Sequence, residues 1–223
     1  MNNNRNRLKK VLEFINPDAK LADVGCDHGY LAIEAIKKGV SFVQLIDNKE
    51  GPLQSAINNL KYYEKESEVI YSLSSGLSKI HEKVDTVAIC GMGGELIAEL
   101  IDSDIDTAKK MKRLILQPNS KISFLRKYLL EKKFNIDDES IILDKGKTYE
   151  IIVCHYVGLC FEYNEKDYIF GPILRMHKNE LFVNKWENKI LFNNEILSSH
   201  IDEDKKELIE KENNLIKEVL YEN

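Results

Sequence analysis

The sequence predicts an α/β protein, a mostly parallel sheet covered by helices on both faces, with an antiparallel strand pair at one edge and a helical appendage behind it. Three observations predict this. Short apolar strands alternate with helical patterns five times between residues 20 and 133, the arrangement that buries a parallel sheet. Two strand-like stretches then follow each other directly, around Lys145–Gly146–Lys147. Finally, the chain's unusual glycines, acids and amides fall where strands end, and open α/β sheets bind ligands at the carboxyl ends of their strands.

In order, Leu8, Val11, Leu12 and Ile15 give residues 5–15 the spacing of an amphipathic helix, stopped by Asn16–Pro17. A strand over 20–24 runs into Gly25, and a helix over 30–38 ends at Gly39. Val40–Ile46 is a second strand, closed by Asp47; Gly51–Pro52 opens a helix reaching about Tyr63. Glu68–Leu73, Val84–Cys90 and Arg113–Leu116 are the next strands, followed by the turns Ser74–Ser75–Gly76, Gly91–Met92–Gly93–Gly94 and Gln117–Pro118–Asn119. A helix runs from Glu95 to about Ile101, and another over Ser120–Lys133 with Ser120 as its expected N-cap. Phe134–Leu143 and Tyr149–Val157 form the hairpin. Two domains are expected, residues 1–160 and 161–223. Phe161–Pro172 reads as a turn-rich connector, and residues 173–198 and 204–221 as an antiparallel, coiled-coil-like helical hairpin, with Leu208/Leu215 and Ile209/Ile216 recurring every seven residues.

Composition narrows the function. At 43% hydrophobic and 31% charged, the chain suits a soluble fold with a real core. It has no apolar run long enough to span a bilayer and no apolar stretch at its start, so a cytoplasmic protein is expected. Cys26, Cys90, Cys154 and Cys160 form no C-x-x-C pair, which favours reduced, buried thiols over disulfides or a metal site. Residues 1–159 carry 23 basic and 23 acidic side chains, so the whole formal charge of −5 lies beyond them. Basic residues cluster at Arg5, Arg7, Lys9 and Lys10, at Lys109, Lys110, Lys112 and Arg113, and at Lys121, Arg126, Lys127, Lys132 and Lys133. Taken singly each cluster is an ordinary solvated helix face; converging, they would bind phosphates.

The first loop carries the most chemical information. Leu21–Tyr30 joins a strand to a helix through Gly25, leaving backbone N–H groups free and letting a ligand approach closely. Asp23 and Asp27 flank that glycine, and two carboxylates would repel a phosphate. They suit a ligand carrying a sulfonium and an amino group, and the G-x-G-x-x-G dinucleotide spacing is absent. S-adenosylmethionine is therefore the expected cofactor. Asp47 can accept both hydroxyls of its ribose, and the glycines at 91–94 let backbone lie against a flat base. Gln117–Pro118–Asn119 offers amides for reading a base edge. The Asn/Asp-Pro-Pro-aromatic tetrapeptide of exocyclic-amine methyltransferases is missing. This favours a ring nitrogen, whose in-plane lone pair needs mainly alignment with the methyl group. His28 alone in a loop would ordinarily be structural; in this loop it can also contact methionine or substrate.

LADVGCDHGYL, DNKEGPLQSA, GMGG, LILQPN and KTYEIIV occur in order and together resemble the bacterial tRNA (adenine(22)-N1)-methyltransferase family. The resemblance spans about residues 5–160, and FGPILR with the tryptophan-bearing helix is similar to that family's C-terminal domain. It implies a Rossmann-like, seven-stranded class I methyltransferase sheet, S-adenosylmethionine as cofactor, tRNA as partner, and no obligate protein partner. Cofactor contacts would come from Asp23, Gly25, Asp27, His28, Asp47, Asn48, Ser75, Gly76, Gly91, Met92 and Gly93. The substrate would meet Gly94, Gln117, Pro118, Asn119 and the basic Arg5, Arg7, Lys9 and Lys10. Asp27 and His28 are the catalytic candidates. The chain departs from the family at Ser74–Ser75–Gly76, where a Gly-Asp/Asn-Gly turn is typical. The alternatives are a class I methyltransferase for a small molecule or DNA, and a non-catalytic RNA-binding protein that keeps the pocket.

Overall fold

A computed structural model of the chain describes residues 6–221, so the expectation placed on Arg5 lies outside the described residues. The chain divides into two compact units, Met1–Glu162 and Tyr163–Asn223.

In the first unit, β1 (Lys20–Val24), β2 (Phe42–Asp47), β3 (Glu68–Leu73), β4 (Thr86–Gly93), β5 (Arg113–Ser120), β6 (Phe134–Asp144) and β7 (Lys147–Tyr156) form one sheet. Its order is β3-β2-β1-β4-β5-β7-β6. The first five strands are parallel, and β7 runs antiparallel to both β5 and β6. The order reverses between β1 and β4, because β2 and β3 are laid to one side of β1 and β4 and β5 to the other. The loops after β1 and β4 therefore part at that point and leave a crevice. All six residues of β2 are buried. Its one buried amide, Gln44, donates to Ser72 Oγ at 2.9 Å and Lys79 O at 2.7 Å and accepts from His81 N at 2.9 Å, so the cost of burying it is met.

The helices are α1 (Asn6–Glu13), α2 (Tyr30–Lys37), α3 (Glu50–Leu60), α4 (Gly94–Asp102), α5 (Ile105–Lys110) and α6 (Ile122–Glu131). Val11 and Ile15, together with Leu31, Ala32, Ala35 and Ile36 of α2, pack into one apolar cluster under Leu21, Val43 and Leu45.

Several expectations are corrected. The turns expected at 91–94 and 117–119 are largely strand: β4 and β5 stay paired through Gly93 and Ser120, with register shifts at Met92 that accommodate Pro118. Lys121, left-handed at φ 54°, and not Ser120, precedes α6. Helix α5 was not anticipated; Asp104 caps it by accepting from Thr107 N at 3.1 Å. Two residues of the basic clusters are committed to structural bonds. Arg113 opens β5, at the amino end of the sheet, and donates to Phe14 O at 2.7 Å. Arg126 is fully buried, bonding Glu139 at 2.7 Å and Glu150 at 2.6 Å between α6 and the β6–β7 pair.

The second unit contains α7 (Glu165–Phe170), α8 (Leu174–His177), α9 (Glu180–Leu197) and α10 (Glu203–Tyr221). The expected connector thus holds a helix, started by a capping box between Asn164 and Asp167. The expected helix over 173–198 is broken at Lys178 (φ 42°) and restarts behind the Asn179 cap. The rings of Phe170 and Trp186 pack at a tilt of 54° with centroids 4.5 Å apart, and Phe182 joins them. α9 and α10 pair through Asn193, whose amide donates to Asn213 Oδ1 at 2.9 Å. The buried seam of α10 is Asn213, Ile216 and Val219, while Leu208 is exposed. Of the seven-residue recurrence, Ile216 lies in the seam and Leu208 outside it. A buried asparagine pair in such a seam fixes register.

Candidate active site

The crevice at the switch point is a cavity of about 450 Å³, within the range of small-molecule sites. The loops that line it are the ones after β1, β2, β3 and β4. They bring together Asp23, Gly25, Asp27, His28, Asp47, Asn48, Ser75, Gly76, Gly91 and Met92, with Arg7 from α1.

The floor is tightly fixed. Gly25, at φ 75°, donates to Ile46 O at 2.8 Å, and Cys26 N reaches the same carbonyl at 3.2 Å. The methyl of Met92 lies where a Cβ on Gly25 would stand, so the β1 turn and the β4 loop are in close contact, and the left-handed φ there is one that glycine adopts without strain. Asp47 holds the two neighbouring loops: its Oδ2 accepts from Asp27 N at 3.3 Å and its Oδ1 from Lys49 N at 3.0 Å. Each oxygen keeps a further lone pair for a ligand.

The buried end of the cavity is acidic. Asp23 is 4% exposed, and among the described residues no cation pairs with it. Burial, reinforced by Asp47 and then Asp27, raises its carboxyl from an ordinary 3.8 to about 7. The same burial pushes the thiols of Cys26 and Cys90 far up, with Asp23 adding to both. They are neutral and unsuited to attack as thiolates. Asp27 and His28 stand on the rim, 3.7 Å apart, and the His28 ring lies 5.5 Å from that of Tyr30.

Other expected residues lie elsewhere. Gln117 is fully buried; it accepts from Gly91 N at 3.1 Å and donates to Pro118 O at 3.0 Å and Asn119 Oδ1 at 3.2 Å. Its amide braces the β4 loop and is buried. Pro118 is buried beside it. Asn119 is exposed and donates to Gly91 O at 2.7 Å. Gly94 is buried, and a Cβ there would strike the Lys121 carbonyl, so it serves the close approach of α4 to the start of α6. Gly93 lies against Ser120. Lys10 is paired with Glu13 at 2.6 Å, and Lys9 is exposed. None of these lines the cavity; of the described basic residues beginning the chain, only Arg7 does. Lys49, Cys90 and Leu96 also line it and were not anticipated. Proximity to Asp47 and to the GMGG block was their only signal in the sequence.

The family model for tRNA (adenine(22)-N(1))-methyltransferase matches residues 21–222. The chain belongs to this family. It is 31% identical over 196 residues to a Bacillus subtilis tRNA (adenine(22)-N(1))-methyltransferase, covering 82% of this chain and 80% of that one. Among solved structures it is similar to a Streptococcus pneumoniae putative tRNA (m1A22) methyltransferase in complex with S-adenosyl-L-methionine. That match has 33% identity and a TM-score of 0.87, over 96% of this chain and 98% of that one. The Mycoplasma capricolum TrmK bound to S-adenosyl-homocysteine matches at 26% identity and a TM-score of 0.84, over 96% of each chain. The seven-stranded sheet is thus that of the class I methyltransferases. No helix among the described residues is long and apolar enough to cross a membrane.

Proposed function

We infer that this protein transfers the methyl group of S-adenosylmethionine to N1 of adenine 22 in tRNA. The observation that carries the reading is the set of carboxylates of Asp23, Asp27 and Asp47 in one crevice, with the most buried of them unpaired. A cationic ligand relieves that crowding, and an anionic one would worsen it.

Asp47 accepts the ribose hydroxyls while its backbone donors hold it in place. Asp23 meets the ammonium group, directly or through water, from the buried end. Gly91 and Met92 form the wall for the cofactor's base, and Asn48, Ser75 and Gly76 close its other side. When bound, the cofactor supplies an electrophilic methyl carbon on a sulfonium. The protein's part is then to align a ring nitrogen with it, which needs no covalent enzyme intermediate. Asp27 and His28, on the rim, are the groups able to take or hold a proton near the acceptor base. Arg7 at the cavity and Lys9 on the exposed side of α1 contact RNA phosphates. The second unit supports the tRNA body through shape more than charge, since residues 160–223 carry 14 acidic and 9 basic side chains. The reaction takes place in the cytoplasm and needs no second protein.

The test is incubation with labelled cofactor and unmodified tRNA, followed by mapping. N1 methylation blocks the pairing edge, so reverse transcription is expected to stop at adenine 22. Label on an exocyclic amine or a pyrimidine, or in DNA or a metabolite with tRNA inert, overturns the reading.

A further inference from the structure

The methyltransferase reading fills the cavity over β2, β1 and β4 but leaves the acceptor base without a surface to lie on. The sheet order continues outward to β5 and β7. Because β7 is antiparallel, its first residues emerge at the same end of the sheet as the cavity. The register sets Leu116 against Ile152, and Asn119 and Tyr149 each lie three residues further toward that end of the sheet. Tyr149 is half-buried. Above its ring, 5.0 Å from the centroid, lies the guanidinium of Arg7. Arg7 Nη1 also donates to Asn119 Oδ1 at 3.3 Å, and the same side chain lines the cavity.

We propose that the Tyr149 ring is the platform on which the target adenine stacks, and that Arg7 covers this face until RNA displaces it. The proposal rests on the methyltransferase reading of the neighbouring cavity. A guanidinium is a flat cation that binds an aromatic face much as a base does. Both of its tethers are weak: one long hydrogen bond to an exposed amide, and one ring contact at the surface. Leaving the ring costs Arg7 little and frees it for a phosphate of the incoming strand. Enzymes acting on a base must take it out of its stack, and an aromatic ring beside the reacting site compensates for the stacking lost. Tyr149 adds a flat surface at the outer end of the cavity, and the β5–β7 register fixes its height.

The experiment uses the full chain, tRNA with adenine 22, and the same tRNA with an abasic site there. Wild-type protein is expected to bind the adenine form about tenfold more tightly, the scale of one stacked base. Tyr149→Phe keeps that preference and a single-turnover rate within about threefold of wild type. Tyr149→Ala loses the preference, and Tyr149→Leu, which keeps apolar bulk, loses it as well; both slow methyl transfer at saturating tRNA by about tenfold or more. S-adenosylhomocysteine affinity is unchanged in all three. Arg7→Ala weakens both tRNAs alike and retains the preference. Full rate and preference in Tyr149→Leu overturn the platform, and so does a preference lost in Arg7→Ala but kept in Tyr149→Ala. If wild-type protein leaves adenine 22 unmethylated, the reading of the cavity fails instead, and the two failures are distinguishable.

Discussion

The two halves of the candidate site are built on opposite plans. The β1–β2 half is fixed before any ligand arrives: Gly25 and Cys26 hang from one carbonyl, Asp47 is gripped by two backbone N–H groups, and Asp23 is sealed inside. The β4–β5–β7 half has a rigid support and a loose lip. Its support is the buried Arg126 with Glu139 and Glu150; its lip is Asn119, Arg7 and the exposed Gly91, joined by surface hydrogen bonds. A small cofactor of constant shape is best met by a preorganised pocket, because ordering after binding would weaken it. A base drawn out of a folded RNA needs room to enter, and weak surface contacts can be exchanged for contacts to RNA.

The largest expected effect tests the support of the second half. Arg126→Met removes the guanidinium that bonds both Glu139 and Glu150 and leaves the two carboxylates buried without it. A loss of about 3–5 kcal/mol is expected in urea unfolding, the cost of breaking a buried ion pair from one side. A loss below about 1 kcal/mol would mean water reaches the triad, and the half thought rigid would have no rigid base.

How much of this was legible in sequence follows the same division. The first half was readable because its chemistry is local. Asp23, Gly25 and Asp27 sit within five residues, and Asp47 ends the next apolar run. The second half depends on partners far apart in the chain. Arg126 reads as one more surface lysine-or-arginine until β6 and β7 deliver Glu139 and Glu150. Gln117 reads as a base reader until Gly91 arrives across the sheet and uses its amide. Tyr149 carried only a resemblance, because nothing near it in sequence shows that an antiparallel strand brings it beside Arg7. The breaks at Lys121 and Lys178 escaped for a related reason: a left-handed lysine has no side-chain signature, and tertiary packing imposes it.

The next effect tests the charge of the first half. Asp23 has a raised value, about 7 against 3.8, so its protonated form favours the cofactor-free fold. That contribution is complete below about pH 4 and is lost as pH rises through about 7. A cation bound beside it reverses the preference and requires the carboxylate. S-adenosylhomocysteine, which carries the ammonium group, is therefore expected to bind about tenfold more weakly for each pH unit below 7, by calorimetry between pH 5 and 8. Asp23→Asn should flatten this profile and raise the stability of the free protein at pH 8 by up to about 4 kcal/mol. A wild-type affinity that does not change with pH would place the ammonium group away from Asp23.

The smallest effect tests whether the lip is as loose as its bonds suggest. Asn119→Ala removes the donor to Gly91 O, an acceptor of Gln117 and the anchor of Arg7. Gly91 is exposed, so water replaces the lost donor, and Gln117 keeps its bonds to Gly91 N and Pro118 O. The expected cost is about 0.5–1 kcal/mol in unfolding, with cofactor affinity unchanged, because Gln117 still holds Gly91 in the cavity wall. Arg7 loses one of two tethers, so the Tyr149 face opens more readily and the KM for tRNA shifts by less than about threefold, with kcat retained. A cost above about 2 kcal/mol, or a parallel loss of S-adenosylhomocysteine binding, would show that Asn119 and Gln117 brace the β4 loop as one unit. The base-side lip would then be part of the prebuilt pocket and could not be exchanged for RNA.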